Sequence, residues 1–210
     1  MTRILLISGS TRDGSLHTAA LRTAARSAPP HVTAELYDGL RTVPAFVPGE
    51  STLAGEVVAL HDRVAAADAV LLCTPEFAGS LPGSLKNLLD WLVDAGDLTG
   101  KPVAWLSVVP PGQDDGARAT LETVLQHGGA RVLRAACIRV PLTMADVDGR
   151  GLVTDHRLHV ALEDMLRVLA QVLAAPPAHS APSWQAYSSV YPVVAPRRAG
   201  APSGAGWPPS

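Results

Sequence analysis

Cysteine is scarce in this chain of 210 residues, with Cys73 and Cys137 the two present. Both lie in apolar, strand-like runs far apart in sequence and lack the spacing of a zinc or redox pair, so buried free thiols are expected. Net charge is scarce as well, at -2, and the basic residues are scattered rather than gathered into a stripe. That excludes the electrostatic footprint of a nucleic-acid or anionic-membrane partner. No apolar run is long enough to span a bilayer, and strand-like sequence begins almost at once, leaving no room for a signal peptide. A soluble, cytoplasmic protein is therefore expected. Hydrophobic residues make up 47% of the chain, enough for a full core, and one domain is the default at this length.

The most informative stretch runs over residues 3–20, RILLISGSTRDGSLHTAA. Ile4, Leu5, Leu6 and Ile7 form a continuous apolar run, the pattern of a parallel strand covered on both faces. The chain breaks at Gly9, and Leu16, Ala19, Ala20 and Ala24 predict a helix starting near Ser15. Between them lie Ser10, Thr11, Arg12 and Ser15. A helix start leaves N–H groups unpaired and carries partial positive charge, so hydroxyls and a guanidinium there suit an anion, most simply a phosphate. A P-loop is excluded because Ser15 stands where its lysine should be, and the dinucleotide fingerprint fails because Ser10 and Thr11 follow Gly9. A terminal monophosphate fits better than a pyrophosphate. The alternative is a polar turn with Ser15 as an N-cap and no ligand.

Further along, strands are expected at residues 32–37, 69–73, 103–109 and 130–140, and helices at 53–66, from Pro82 towards Asp94, at 117–126 and from a Thr154 cap to Ala175. Residues 40–51 and 141–151 read as loops. Five strands alternating with five helices argue a doubly wound parallel α/β sheet, order 2-1-3-4-5, with helices on both faces. From Pro176 to Ser210 the character changes: eight of the 18 prolines fall here, with Arg197 and Arg198 the only charges. This is expected to be a flexible tail, with docking through Trp184, Tyr187, Tyr191 or Trp207 as the alternative.

In such a sheet ligands collect between strands one and three, at the C-terminal ends where the winding reverses. GSTRDGS follows strand one and PEFAGS follows strand three, so the two turns should share a crevice. Pro75 and Gly79 would shape a backbone able to meet the edge of a flat ring, and Phe77 adds an apolar face. A phosphate at one turn and a ring at the other describes a mononucleotide; an ordinary loop before a proline-started helix is the bland alternative. His156 and His159 lack a carboxylate companion with metal-ligand spacing and are expected to be solvated. Trp91 is either core or a contact between subunits.

The pair GSTRDGSLHTA and TPEFAGSLPGSLKNLLDWL resembles the NAD(P)H-dependent FMN reductase family, flavodoxin-like proteins that include quinone, chromate and azo-dye reductases. The resemblance covers about residues 1–175. It implies FMN, NADPH or NADH as donor, a quinone or similar small-molecule acceptor, and a homo-oligomer, dimer or tetramer. It implies phosphate contacts from Ser10, Arg12 and Ser15 with Leu16 and His17 beside them, and places Pro75, Glu76, Phe77, Ala78 and Gly79 at the ring. Glu76 is not needed as a base, because the flavin carries the chemistry. Three departures stand out. His17 replaces the usual asparagine and brings a charge that depends on pH. Phe77 and Ala78 replace Tyr-Asn. PPGQDDG replaces a glycine-rich turn, which bears on how the nicotinamide approaches. An electron-transfer flavoprotein that uses no nicotinamide, and a binding module that has lost the flavin, are the alternatives.

Overall fold

The computed structural model describes residues 1–174. The tail expected over 176–210, with its docking alternative, lies outside the described residues. Strands β1 (Thr2–Ser8), β2 (Val32–Tyr37), β3 (Ala69–Cys73), β4 (Pro102–Ser107), β5 (Arg131–Val132) and β6 (Ile138–Arg139) form a parallel sheet. The order is β2-β1-β3-β4-β5, with β6 also on β4. Helices α1 (Leu16–Arg26), α2 (Gly55–Ala66), α3 (Gly83–Asp94), α4 (Asp115–His127) and α5 (His156–Ala174) complete the winding. The fold is the doubly wound α/β arrangement expected from the alternation.

The apolar run of β1 is continuous because both faces are covered. Ile4 and Leu6 enter the core beneath α1 and α5, whereas Leu5 and Ile7 enter the core beneath α2, α3 and α4. On β3, Leu71 and Cys73 share the first core, and Val70 and Leu72 the second. Period-two alternation thus survives inside a run that looks uniform in sequence. Helices α1 and α2 lie on opposite faces, so the winding reverses between β1 and β3, and the loops leaving those strands open on one crevice.

Most boundaries lie within two residues of expectation, and one segment differs in kind. The strand expected over 130–140 is split: β5 pairs with Pro102 and Val103, β6 pairs with Leu106 and Ser107, and a single turn of 3-10 helix, Arg134–Ala136, bulges between them. Local bonds from Ala136 N to Leu133 O (2.9 Å) and Cys137 N to Arg134 O (3.1 Å) satisfy the bulge, which buries Ala136 in the α5-side core. Arg131 and Arg134 are both exposed although three positions apart, which one uninterrupted period-two strand cannot achieve, and the insertion is what lets both reach solvent. Helix α2 begins two residues late, leaving Leu53 exposed.

Trp91 is intramolecular core. Its Nε1 donates to Pro44 O at 3.0 Å and its ring meets Phe46 edge-on, with centroids 5.0 Å apart. Asn87, one turn earlier, donates to Pro44 O (2.8 Å) and accepts from Phe46 N (2.7 Å). The KNxxDW part of the second motif therefore straps residues 44–46 onto α3, while Lys86 and Asp90 pair at 2.5 Å along the same helix. Cys73 and Cys137 are both free; the first is buried and the second only half-buried, and burial raises both thiols.

Candidate functional site

Gly9 lets the two turns meet. Its N–H extends the ladder to Cys73 O (2.9 Å), and a Cβ at Gly9 would stand 2.2 Å from Thr74 Oγ1 and 2.8 Å from Leu85 Cδ2. Only a residue without a side chain fits between β3 and α3 here. The first turn is braced from within by Ser8, whose Oγ pairs with Thr18 Oγ1 (2.8 Å) and receives Ser10 N–H (3.3 Å), and from outside by Arg41, bonded to Thr11 O and Asp13.

Ser15 is the N-cap of α1, yet its side chain makes no capping bond. The amides of the first turn, without partners inside the helix, remain to be met by another group. Arg12 is exposed, and among the described residues its guanidinium pairs with no carboxylate. His17, in the same first turn, has a buried Nε2 without a hydrogen-bond partner. Desolvation pushes its pKa down to about 4, against an opposing pull from Asp114. The pH-dependent charge expected of His17 is thereby moved to acid pH: the ring is neutral at physiological pH, because burial penalises the cation.

The second turn is a two-residue hairpin. Phe77 and Ser80 exchange both backbone bonds (2.9 and 3.0 Å), and Ala78 (φ 51°) and Gly79 (φ 72°) are both left-handed, as a type I′ turn requires. Glu76 reaches sideways to the element after β4, where its Oε2 accepts Gly116 N–H (2.8 Å) and Ala117 N–H (3.1 Å), capping α4. Approach at this point is close enough that a Cβ on Gly116 would stand 2.2 Å from Gly79 O. The last glycine of PPGQDDG, Gly116, is therefore a packing requirement. Its Asp114 is buried and paired with Arg139 at 2.8 Å.

A cavity of about 670 Å³ lies between the turns. Ser10, Arg12, Ser15, Leu16 and His17 line it on one side, and Pro75, Glu76 and Phe77 come to it from the other. Ala78 and Gly79 form the hairpin tip and do not line it. Pro82, Gly83 and Ser84, at the start of α3, line the cavity too, so two helix N-termini open on it; Met144, from the loop after β6, joins them. The motif's glycine and serine signalled the former, but nothing local in sequence signals Met144. His156 is exposed, whereas His159 is not solvated as expected: it is half-buried, with Nε2 donating to Val153 O at 2.9 Å. Among the described residues no group of three or more metal-ligating side chains occurs.

The volume suits a mononucleotide, and the donors at one end, comprising free helix amides, hydroxyls and a guanidinium, suit its phosphate. A family profile described as NADPH-dependent FMN reductase matches residues 2–143. The chain belongs to that family. An NAD(P)H-dependent FMN reductase of Pseudomonas aeruginosa is 30% identical over 173 residues, 80% of this chain and 92% of that one. A quinone reductase of Escherichia coli is 34% identical over 106 residues, 48% of this chain and 56% of the other. Among solved structures, the flavoenzyme NAD(P)H:(acceptor) oxidoreductase FerB of Paracoccus denitrificans superposes with a TM-score of 0.70 at 24% identity, covering 82% of this chain and 97% of its own, a likeness of fold. Family membership makes the chain an oxidoreductase with FMN as cofactor and NADPH or NADH as donor. No helix among the described residues is long and apolar enough to cross a membrane.

Proposed function

We propose that the cavity holds FMN with its phosphate at the first turn and its ring at the second, and that the enzyme passes two electrons from NAD(P)H to a quinone. One NAD(P)H, one proton and one quinone give NAD(P)⁺ and a hydroquinone. The observation that carries this reading is that both motifs, far apart in sequence, line one cavity at the point where the winding reverses. FMN, when bound, supplies the two-electron exchange between donor and acceptor.

The chain's own residues bind and orient. Ser10, Ser15 and the first amides of α1 donate to the phosphate, and Arg12 supplies the charge-assisted contact. Neutral His17 and Leu16 close the wall beside them. Pro75, Glu76 and Phe77 border the ring, with Ala78 and Gly79 setting the path of the backbone. Glu76 spends one oxygen on α4, so its part is to fix the second turn against that helix rather than to move a proton. The enzyme works in the cytoplasm as a homo-oligomer, dimer or tetramer, an assembly that light scattering of the purified protein tests.

Arg12 provides the direct test of the orientation. Arg12→Ala should weaken FMN by about 2 kcal/mol, the worth of a hydrogen bond to a charged group. Riboflavin lacks the phosphate, and its weaker binding should hardly change. Fluorescence titration of both flavins into both proteins distinguishes the outcomes; equal losses would mean that Arg12 does not meet the phosphate.

A further inference from the structure

Two large apolar side chains at the cavity belong to neither core. Phe77 is 72% exposed and Met144 is 51% exposed, and both line the same cavity. Single exposed apolar residues are ordinary on a protein surface, but two at the mouth of one cavity form a patch suited to an apolar ligand.

Neither is carried on a slack loop. Phe77 is held by both backbone bonds of the hairpin. Met144 opens a single 3-10 turn, Met144–Asp146, closed by Asp146, whose Oδ2 accepts Thr143 N–H (2.7 Å) and Thr143 Oγ1–H (3.0 Å) and whose own N–H donates to Thr143 O (3.1 Å). Leu142, buried just before it, donates from its amide to Val108 O (2.9 Å), and Thr154 N–H returns to Asp146 O (2.8 Å), so the turn is fixed to β4 on one side and to the approach of α5 on the other. A position held this firmly yet left exposed is spent on something outside the fold. A methionine thioether adapts to ring edges and faces, and a phenyl ring offers a stacking face; neither carries charge.

We propose that Met144, together with Phe77, determines acceptor specificity by gripping a flat, uncharged aromatic ring, the quinone class, at the mouth of the FMN cavity. This inference rests on the reading of that cavity as the flavin site.

The chain has three methionines, and they report separately: Met1 is 87% exposed, Met165 is 2% exposed in the α5-side core, and Met144 is at the cavity. In oxidised, FMN-loaded protein with methyl-labelled methionine and no nicotinamide present, adding a naphthoquinone should move the Met144 methyl signal by the ring current and leave that of Met165 in place. Chromate, an anion without a ring, should move neither. Met144→Ala should then raise KM for the quinone about fivefold, the worth of a sulfur–aromatic contact, while FMN affinity stays within about twofold and Met144→Leu, apolar but without the sulfur, recovers only part of the loss. The inference is overturned if FMN binds but the Met144 signal stays still at saturating quinone. It is equally overturned if the variant loses FMN as much as quinone, or if the signal follows protein concentration instead of quinone, which would assign the patch to a second copy of the chain. Failure of the flavin reading itself shows earlier, as absence of FMN uptake in the visible spectrum before any acceptor is added, and removes the inference with it.

Discussion

His17 links burial, charge and pH at one atom. Its folded pKa lies near 4, below the ordinary 6.5, so folding favours the neutral ring. A depressed value contributes stability that is fully present above the unfolded pKa and is lost as pH falls through the folded one. Flavin-free protein should therefore lose about 3 kcal/mol between pH 6.5 and pH 4 through this residue. His17→Asn should flatten that part of the curve in urea titrations across the range; an unchanged acid limb would place the loss elsewhere. Ala78 makes a different kind of prediction. At φ 51° an L-residue with a Cβ is strained, and glycine or asparagine suits the position better. Ala78→Gly and Ala78→Asn should each stabilise the fold by about 0.5 to 1 kcal/mol, read as a rise of about 1 to 4 °C in thermal melts. Reading Ala78 from sequence alone suggested a lost amide beside the flavin. The hairpin shows a backbone cost as well, and the glycine variant separates the two, because it relieves the strain and restores no amide.

The second turn and α4 depend on each other through Glu76, whose carboxylate caps a helix that begins some forty positions further along the chain. Removing it with Glu76→Ala should cost about 1 to 2 kcal/mol in stability, as loss of a helix cap does, while Glu76→Gln, which keeps an acceptor, should cost less. Chemical denaturation of the three proteins checks the ranking; a Gln variant as unstable as the Ala variant would mean that the charge, rather than the acceptor, carries the cap. This role was not legible in the sequence. Capping by a residue next to the helix leaves a local signature, but capping by a residue from another loop leaves none until the fold brings the parts together. The same limit hid the role of Gly116 and the arrival of Met144 at the cavity. What was legible had a local cause: the apolar runs of β1 and β3, the hydroxyl-rich start of α1, and the proline before α3 all follow from short-range chemistry. The split of β5 from β6 left only a slight trace, the spacing of Arg131 and Arg134 at three positions rather than two within an otherwise strand-like segment.

Seen across the whole molecule, the order β2-β1-β3-β4-β5 decides where a ligand can sit, and the two motifs occupy the loops that this order brings together. The winding was readable from the alternation of strands and helices, and the site followed from the winding, even though several of the contacts that hold it did not. The central claim is that this cavity exchanges electrons between a nicotinamide and a quinone through bound FMN. Anaerobic mixing of the FMN-loaded protein with NADPH or NADH, followed in the visible spectrum, tests it most directly, because hydride transfer needs close stacking of donor on flavin and little else from the protein. The account predicts that the flavin absorption bleaches with at least one of the two donors and returns when a quinone is added. Protein that holds FMN but keeps its colour with both donors at millimolar concentration would contradict it.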